Sequence, residues 1–93
     1  MSFVWDALKA TANLQKHGVA FEEAQSVFRD PLAVTVDDTL HSAQEPREII
    51  IGYSNRNRLL FVCFTEHAEE VRLISAREAT RQERKKHEDN AAF

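Results

Sequence analysis

Glycine and proline are scarce in this chain, two of each among 93 residues, and cysteine occurs once. Two glycines cannot build a glycine-rich phosphate loop, so P-loop and dinucleotide-binding readings fail. The same scarcity excludes collagen-like, low-complexity and linker sequences. A single cysteine forms no internal disulfide, and a reducing, cytoplasmic setting is the expectation. No apolar run approaches the length of a membrane span, and Met1 to Ala10 lacks the basic start and apolar core of a signal peptide. The four histidines (His17, His41, His67, His87) and Cys63 show no close ligand spacing, so neither a metal site nor a cofactor is expected. Cys63 lies between Val62 and Phe64 and reads as a small core residue, and no nucleophile elbow surrounds Ser75.

What is present fits one soluble domain spanning residues 1–93, with 43% hydrophobic and 29% charged residues. Phe3-Val4-Trp5 is a β-prone start, Asp6 is a good N-cap, and a helix runs from Ala7 to His17 with Gly18 as its stop. Lys9, Asn13 and Lys16 are expected to point outward from it. Val19 to Arg29 reads as a second helix with Phe21, Ala24, Val27 and Phe28 as its buried stripe, ended by Asp30-Pro31. A short strand over Ala33 to Val36 precedes a polar loop, Thr39 to Pro46. Arg47 to Tyr53 alternates, with Arg47, Ile49, Ile51 and Tyr53 on one face and Glu48, Ile50 and Gly52 on the other. Leu59 to Thr65 is apolar on both faces and reads as the central strand. After a turn at His67-Ala68-Glu69, a last strand begins near Val71, and a helix from Arg81 to about Asp89 follows. Asn90 to Phe93 reads as a frayed tail. The short connections predict an antiparallel meander in an α+β layout.

The chain carries a net charge of −3, which argues against a wholly basic nucleic-acid surface, so any such binding must be local. Between residues 72 and 86 stand six bases (Arg72, Arg77, Arg81, Arg84, Lys85, Lys86) against two acids (Glu78, Glu83), a local +4. Thr80 and Glu83 have the spacing of a capping box, and Arg77 ends the strand just before it. A cation beside free helix amides can hold an anion. Arg77, Arg47, Lys16 and Arg81, with His17 and His87, could thus ring a phosphate; the bland alternative is a solvated charged face. Trp5 could stack on a base or close the first helix against the sheet.

Several stretches resemble the BrnT toxin family: Trp5-Asp6, Lys9-Ala10 with Asn13, and Lys16-His17-Gly18-Val19. Phe21-Glu22-Glu23-Ala24, Val27-Phe28-Arg29-Asp30-Pro31 and Arg47 at a strand entry are similar too. So is the closing Ile74-Ser75-Ala76-Arg77-Glu78-Ala79-Thr80 with Glu83, which extends the likeness from Phe3 to about Lys86. The resemblance implies a RelE-like fold, a mainly antiparallel sheet with two N-terminal helices packed on it and a C-terminal helix. It implies a bacterial endoribonuclease toxin that arrests translation. Its partner would be a BrnA-type antitoxin with a ribbon-helix-helix segment, through which alone the complex would reach operator DNA. Arg77 is then the main phosphate-stabilising residue, with Lys16, Arg47 and His17 as site partners and His87 standing where many members show a tyrosine. Trp5, Arg72, Arg81, Arg84 and Lys85 are the expected RNA contacts. Ala20 departs from the usual Ser or Asp cap of the second helix. The alternative within the resemblance is an inactive interaction module serving operon autoregulation.

Overall fold

The computed structural model describes residues 1–39 and 46–91; most of the expected polar loop, with His41, lies outside the described residues, as do the last two residues of the expected tail. The first helix, α1 (Ala7–His17), starts where Asp6 accepts hydrogen bonds from the amides of Leu8 (2.8 Å) and Lys9 (3.0 Å). It stops at Gly18, whose left-handed φ of 69° lets its amide reach the Leu14 carbonyl at 2.9 Å, a conformation glycine adopts without steric cost. Helix α2 (Phe21–Ser26) continues into a 3-10 turn, Val27–Arg29. Ala20 gives α2 no side-chain cap. Asp30, extended before its proline, instead binds the amides of Leu32 (2.9 Å) and Tyr53 (2.8 Å), tying this corner to the sheet.

Five strands form one sheet: β1 (Ser2–Val4), β2 (Val34–Asp37), β3 (Glu48–Tyr53), β4 (Leu59–His67) and β5 (Glu70–Glu78), in the order β1-β5-β4-β3-β2. From β2 to β5 they form the expected antiparallel meander, with β4 in the middle. The sheet is nevertheless mixed, because β1 runs parallel to β5. The third helix, α3 (Arg81–Ala91), extends through Asn90, which the sequence assigned to a frayed tail.

One face of the sheet carries the core. Val19, Phe21, Ala24 and Val27 pack against Ile50, Leu60, Val62, Phe64, Val71, Leu73 and Ala76. Each of the fully buried valines and leucines and Phe21 contributes about 1.5–3 kcal/mol. Edge-on rings extend the core outward: Phe28 lies 5.0 Å from both Phe3 and Phe64, and Trp5 lies 5.9 Å from Phe21. Gly52 permits the close approach here, since a Cβ would come within 2.9 Å of Ala33 Cβ and 3.1 Å of Val27 Cγ1.

The register of β5 decides what the other face presents. Strict alternation from Val71 and Leu73 would send Ser75 and Arg77 into the core as well. Phe64 pairs with Leu73 while the adjacent Cys63 pairs with Ser75, so Ile74 is an extra residue. Beyond this bulge Ala76 takes the core position and Ser75 and Arg77 turn to the opposite face. That face also presents Cys63, Phe61, Ile49, Ile51 and Tyr53, with Val34 and Val36 at the edge. Helix α3 covers only one end of it, held where the Tyr53 hydroxyl donates to Glu88 (3.1 Å) and the His87 ring meets Tyr53 at 6.0 Å.

Candidate active site

Arg77 reaches the uncovered part of that face from β5 and is gripped on arrival. Its Nη1 and Nη2 donate to the two carboxylate oxygens of Glu83 at 2.8 and 3.0 Å, and its Cζ lies 4.5 Å above the centre of the Phe61 ring. Glu83 sits in the expected capping box. Its Oε1 accepts from the Thr80 amide (2.9 Å) and its own amide donates to Thr80 Oγ1 (3.1 Å). The Arg77 hydrogen bonds, helped by the Thr80 amide and opposed by burial, hold the Glu83 carboxyl at about 2, far below the usual 4.5.

Beside Arg77 opens a cleft of about 340 Å³ lined by charged and polar groups (His17, Asp38, Arg47, Ser75, Arg77) over a floor of Ile49, Phe61 and Cys63. Alternation from Ile49 had placed Arg47 on the same face as Ile51 and Tyr53, and the cleft brings it together with Arg77. Cys63 is a correction: it is half-buried in the cleft floor rather than packed in the core, with Sγ 3.8 Å from Asp38 Oδ2. Burial, then Asp38, pushes its thiol up, while Arg47 opposes that, so the neutral form prevails at neutral pH.

His17 gets there through an asparagine that the sequence placed on the surface. Asn13 is buried, not outward. Its Nδ2 donates to the Val19 and Ala76 carbonyls, each at 2.9 Å, and its Oδ1 accepts from the Ala76 amide at 3.0 Å. β1 pairs only with residues 70–72 of β5, which leaves the edge near Ala76 open, and the Asn13 amide takes the place of a missing strand there. This fixes the C-terminal end of α1, and with it His17, at the lip of the cleft.

The other expected site residues are dispersed. Lys16 is exposed on α1 and does not line the cleft. His87 borders an apolar groove of about 380 Å³ between β2 and α3, which shares Phe61 with the cleft. Trp5 is half-buried against Phe21 beside the core. Arg72 lines a separate hollow with His67 and Glu70, Lys85 lies in a shallow depression along α3, Arg81 is exposed, and Arg84 pairs with Glu78 at 3.3 Å. Asn13, Asp38 and Phe61 were missed. Asn13 reads as a polar surface residue by helical position, and nothing local marks the other two.

Residues 5–83 match the family profile described as the ribonuclease toxin BrnT of the type II toxin–antitoxin system. No curated protein matches. Among solved structures, the crystal structure of the Brucella abortus ribonuclease toxin BrnT is similar at a TM-score of 0.68 and 26% identity, covering 87% of this chain and 99% of that one. An α+β chain with a five-stranded mixed sheet and three helices, matched over most of its length in sequence and in structure, belongs to the BrnT family of type II toxin–antitoxin ribonuclease toxins.

Proposed function

We propose that this chain, acting as one RelE-like domain in the bacterial cytoplasm, is an endoribonuclease that cuts RNA with the RNA's own 2′-hydroxyl and so arrests translation. The observation that carries the reading is the convergence of Arg77 and Arg47, from different strands, on one cleft that His17 also lines. The attacking 2′-oxygen forms a bond to the adjacent phosphorus, a 2′,3′-cyclic phosphate results, and the 5′-oxygen leaves. The attacking hydroxyl must lose a proton and the leaving oxygen must gain one. His17, the histidine at the cleft, is the candidate for that transfer. Arg77 and Arg47 carry permanent charge and forked donors suited to the crowded anionic phosphorane, where removal of one such donor costs roughly 10²–10³ in rate. Lys16 and His87 stand outside the cleft and are assigned to RNA contacts in this mechanism, alongside Arg72, Arg81 and Lys85.

Membership of a type II family implies an antitoxin partner. We assign that role to a BrnA-type protein whose ribbon-helix-helix segment carries the pair to operator DNA. The test is inducible expression of this chain alone in a bacterial host, with primer extension on the host messages. Growth arrest with discrete cleavage ends, absent in Arg77→Ala, is the expected result. Folded protein that causes neither would move the chain to a non-catalytic interaction role.

A further inference from the structure

We propose that Glu83 is the positioning residue for Arg77, gripping one end of the guanidinium from α3 and aiming its remaining edge at the substrate phosphate. The substrate rests on the ribonuclease reading above; the aiming rests on geometry. A guanidinium has five N–H donors in one rigid plane. Three are engaged: Nη1 with Glu83 Oε1 at 2.8 Å and, at a longer 3.4 Å, with the Glu78 carbonyl, and Nη2 with Glu83 Oε2 at 3.0 Å. The two that remain, Nε–H and the second Nη2–H, lie side by side on one edge. No bond reaches that edge among the described residues. Two parallel donors match two oxygens of a phosphate.

The grip has little slack. The Phe61 ring lies 4.5 Å below the guanidinium and supports it from one side, and the two bonds to Glu83 limit its rotation. Glu83 is itself held by Thr80 at both the carboxylate and the backbone amide. Glu83 borders the groove on the α3 side, whereas Arg77 borders the cleft, so the carboxylate holds the guanidinium from outside the site without filling it. An arginine on a strand end would otherwise keep most of its rotamer freedom, and a preoriented donor stabilises a transition state more than a mobile one does.

Glu83→Gln isolates the grip, because glutamine serves equally in a capping box and leaves the start of α3 intact. Steady-state cleavage of a synthetic RNA by the full chain is compared for wild type, Glu83→Gln, Arg77→Ala and the double variant. The expected result is a kcat about 10- to 100-fold lower in Glu83→Gln with KM changed much less, the scale of a misplaced catalytic group. In the Arg77→Ala background the same substitution should have no further effect. A folded Glu83→Gln with wild-type kcat, or an equal loss in both backgrounds, overturns the proposal. Nitrogen NMR of the Arg77 side chain gives a reading independent of cleavage. Slow rotation of the guanidinium in wild type, lost in Glu83→Gln, upholds the grip, and equal mobility in the two overturns it. A grip upheld in a chain that cleaves no RNA overturns the ribonuclease reading alone.

Discussion

Arg58 and Arg77 each meet a glutamate with two donors, and each joins a helix to the sheet. Arg58 lies at the β3–β4 turn, donating through Nε and Nη2 to Glu23 of α2 and through Nη2 to the Gly18 carbonyl at 3.1 Å, with the Glu78 carboxylate 3.6 Å from Nη1. The Ser54 hydroxyl also donates to Glu23, at 2.7 Å. Glu23 is only 5% exposed and Arg58 27%, against 31% and 41% for Glu83 and Arg77. Both carboxyls are held below the usual range by the hydrogen bonds of their arginines. The difference lies in what remains: Arg58 keeps only Nη1 outside these bonds, and it faces the Glu78 carboxylate, whereas Arg77 keeps its Nε/Nη2 edge on a cleft. An arginine whose remaining donors face a carboxylate of the fold does structural work; one held but left open on a cleft can act on a ligand.

If that contrast is right, the two pairs should respond oppositely to the same change. Arg58→Ala leaves a buried carboxylate without its counter-ion and should destabilise the fold by about 3 kcal/mol, read as a lower urea midpoint. The same truncation at Arg77 breaks a rim pair and should cost at most about 1 kcal/mol of stability. Asn13→Ala strips partners from the Ala76 amide and two carbonyls, and is expected to cost about 2 kcal/mol while loosening the cleft lip. Acid should also separate the pairs from the rest of the fold. The Glu83 carboxyl is lowered from 4.5 to about 2, so its contribution is complete above about pH 4.5 and fades as pH falls toward 2. Glu83→Gln should therefore lower stability near neutrality, where the slope stays unchanged, and flatten the stability–pH curve in that window, as followed by urea unfolding. The smallest effect is a gain: Ala20 already has the extended backbone of an N-cap (φ −79°, ψ 147°), so Ala20→Ser should stabilise by about 1 kcal/mol.

Much of this was legible locally. Asp6, Gly18 and the Thr80/Glu83 box signal helix ends through short-range hydrogen bonds, and all three function as expected. The apolar run of β4 declared its central place, and alternation in β3 put Arg47 beside Ile49 and Ile51. What was hidden is long-range. The parallel pairing of β1 depends on an edge brought close by the fold, and three residues carry no signal for it. The bulge at Ile74 turns Arg77 from the core to the cleft, yet an inserted residue in an apolar strand looks like any other. Asn13 is polar on a helix, which normally means solvent; only the unpaired stretch of β5 makes burial favourable. Glu83 was readable as a cap but not as the partner of Arg77, because a capping box specifies neighbours along the chain and not across a turn.

The most direct test of the open-edge claim is cleavage of a defined RNA by purified protein in the presence of EDTA, comparing wild type with Arg77→Ala and Arg58→Ala at a temperature where all three are folded. The expected result is products ending in 2′,3′-cyclic phosphate from wild type and Arg58→Ala, with the rate down by about 10²–10³ in Arg77→Ala. Equal cleavage by Arg77→Ala and wild type would contradict it.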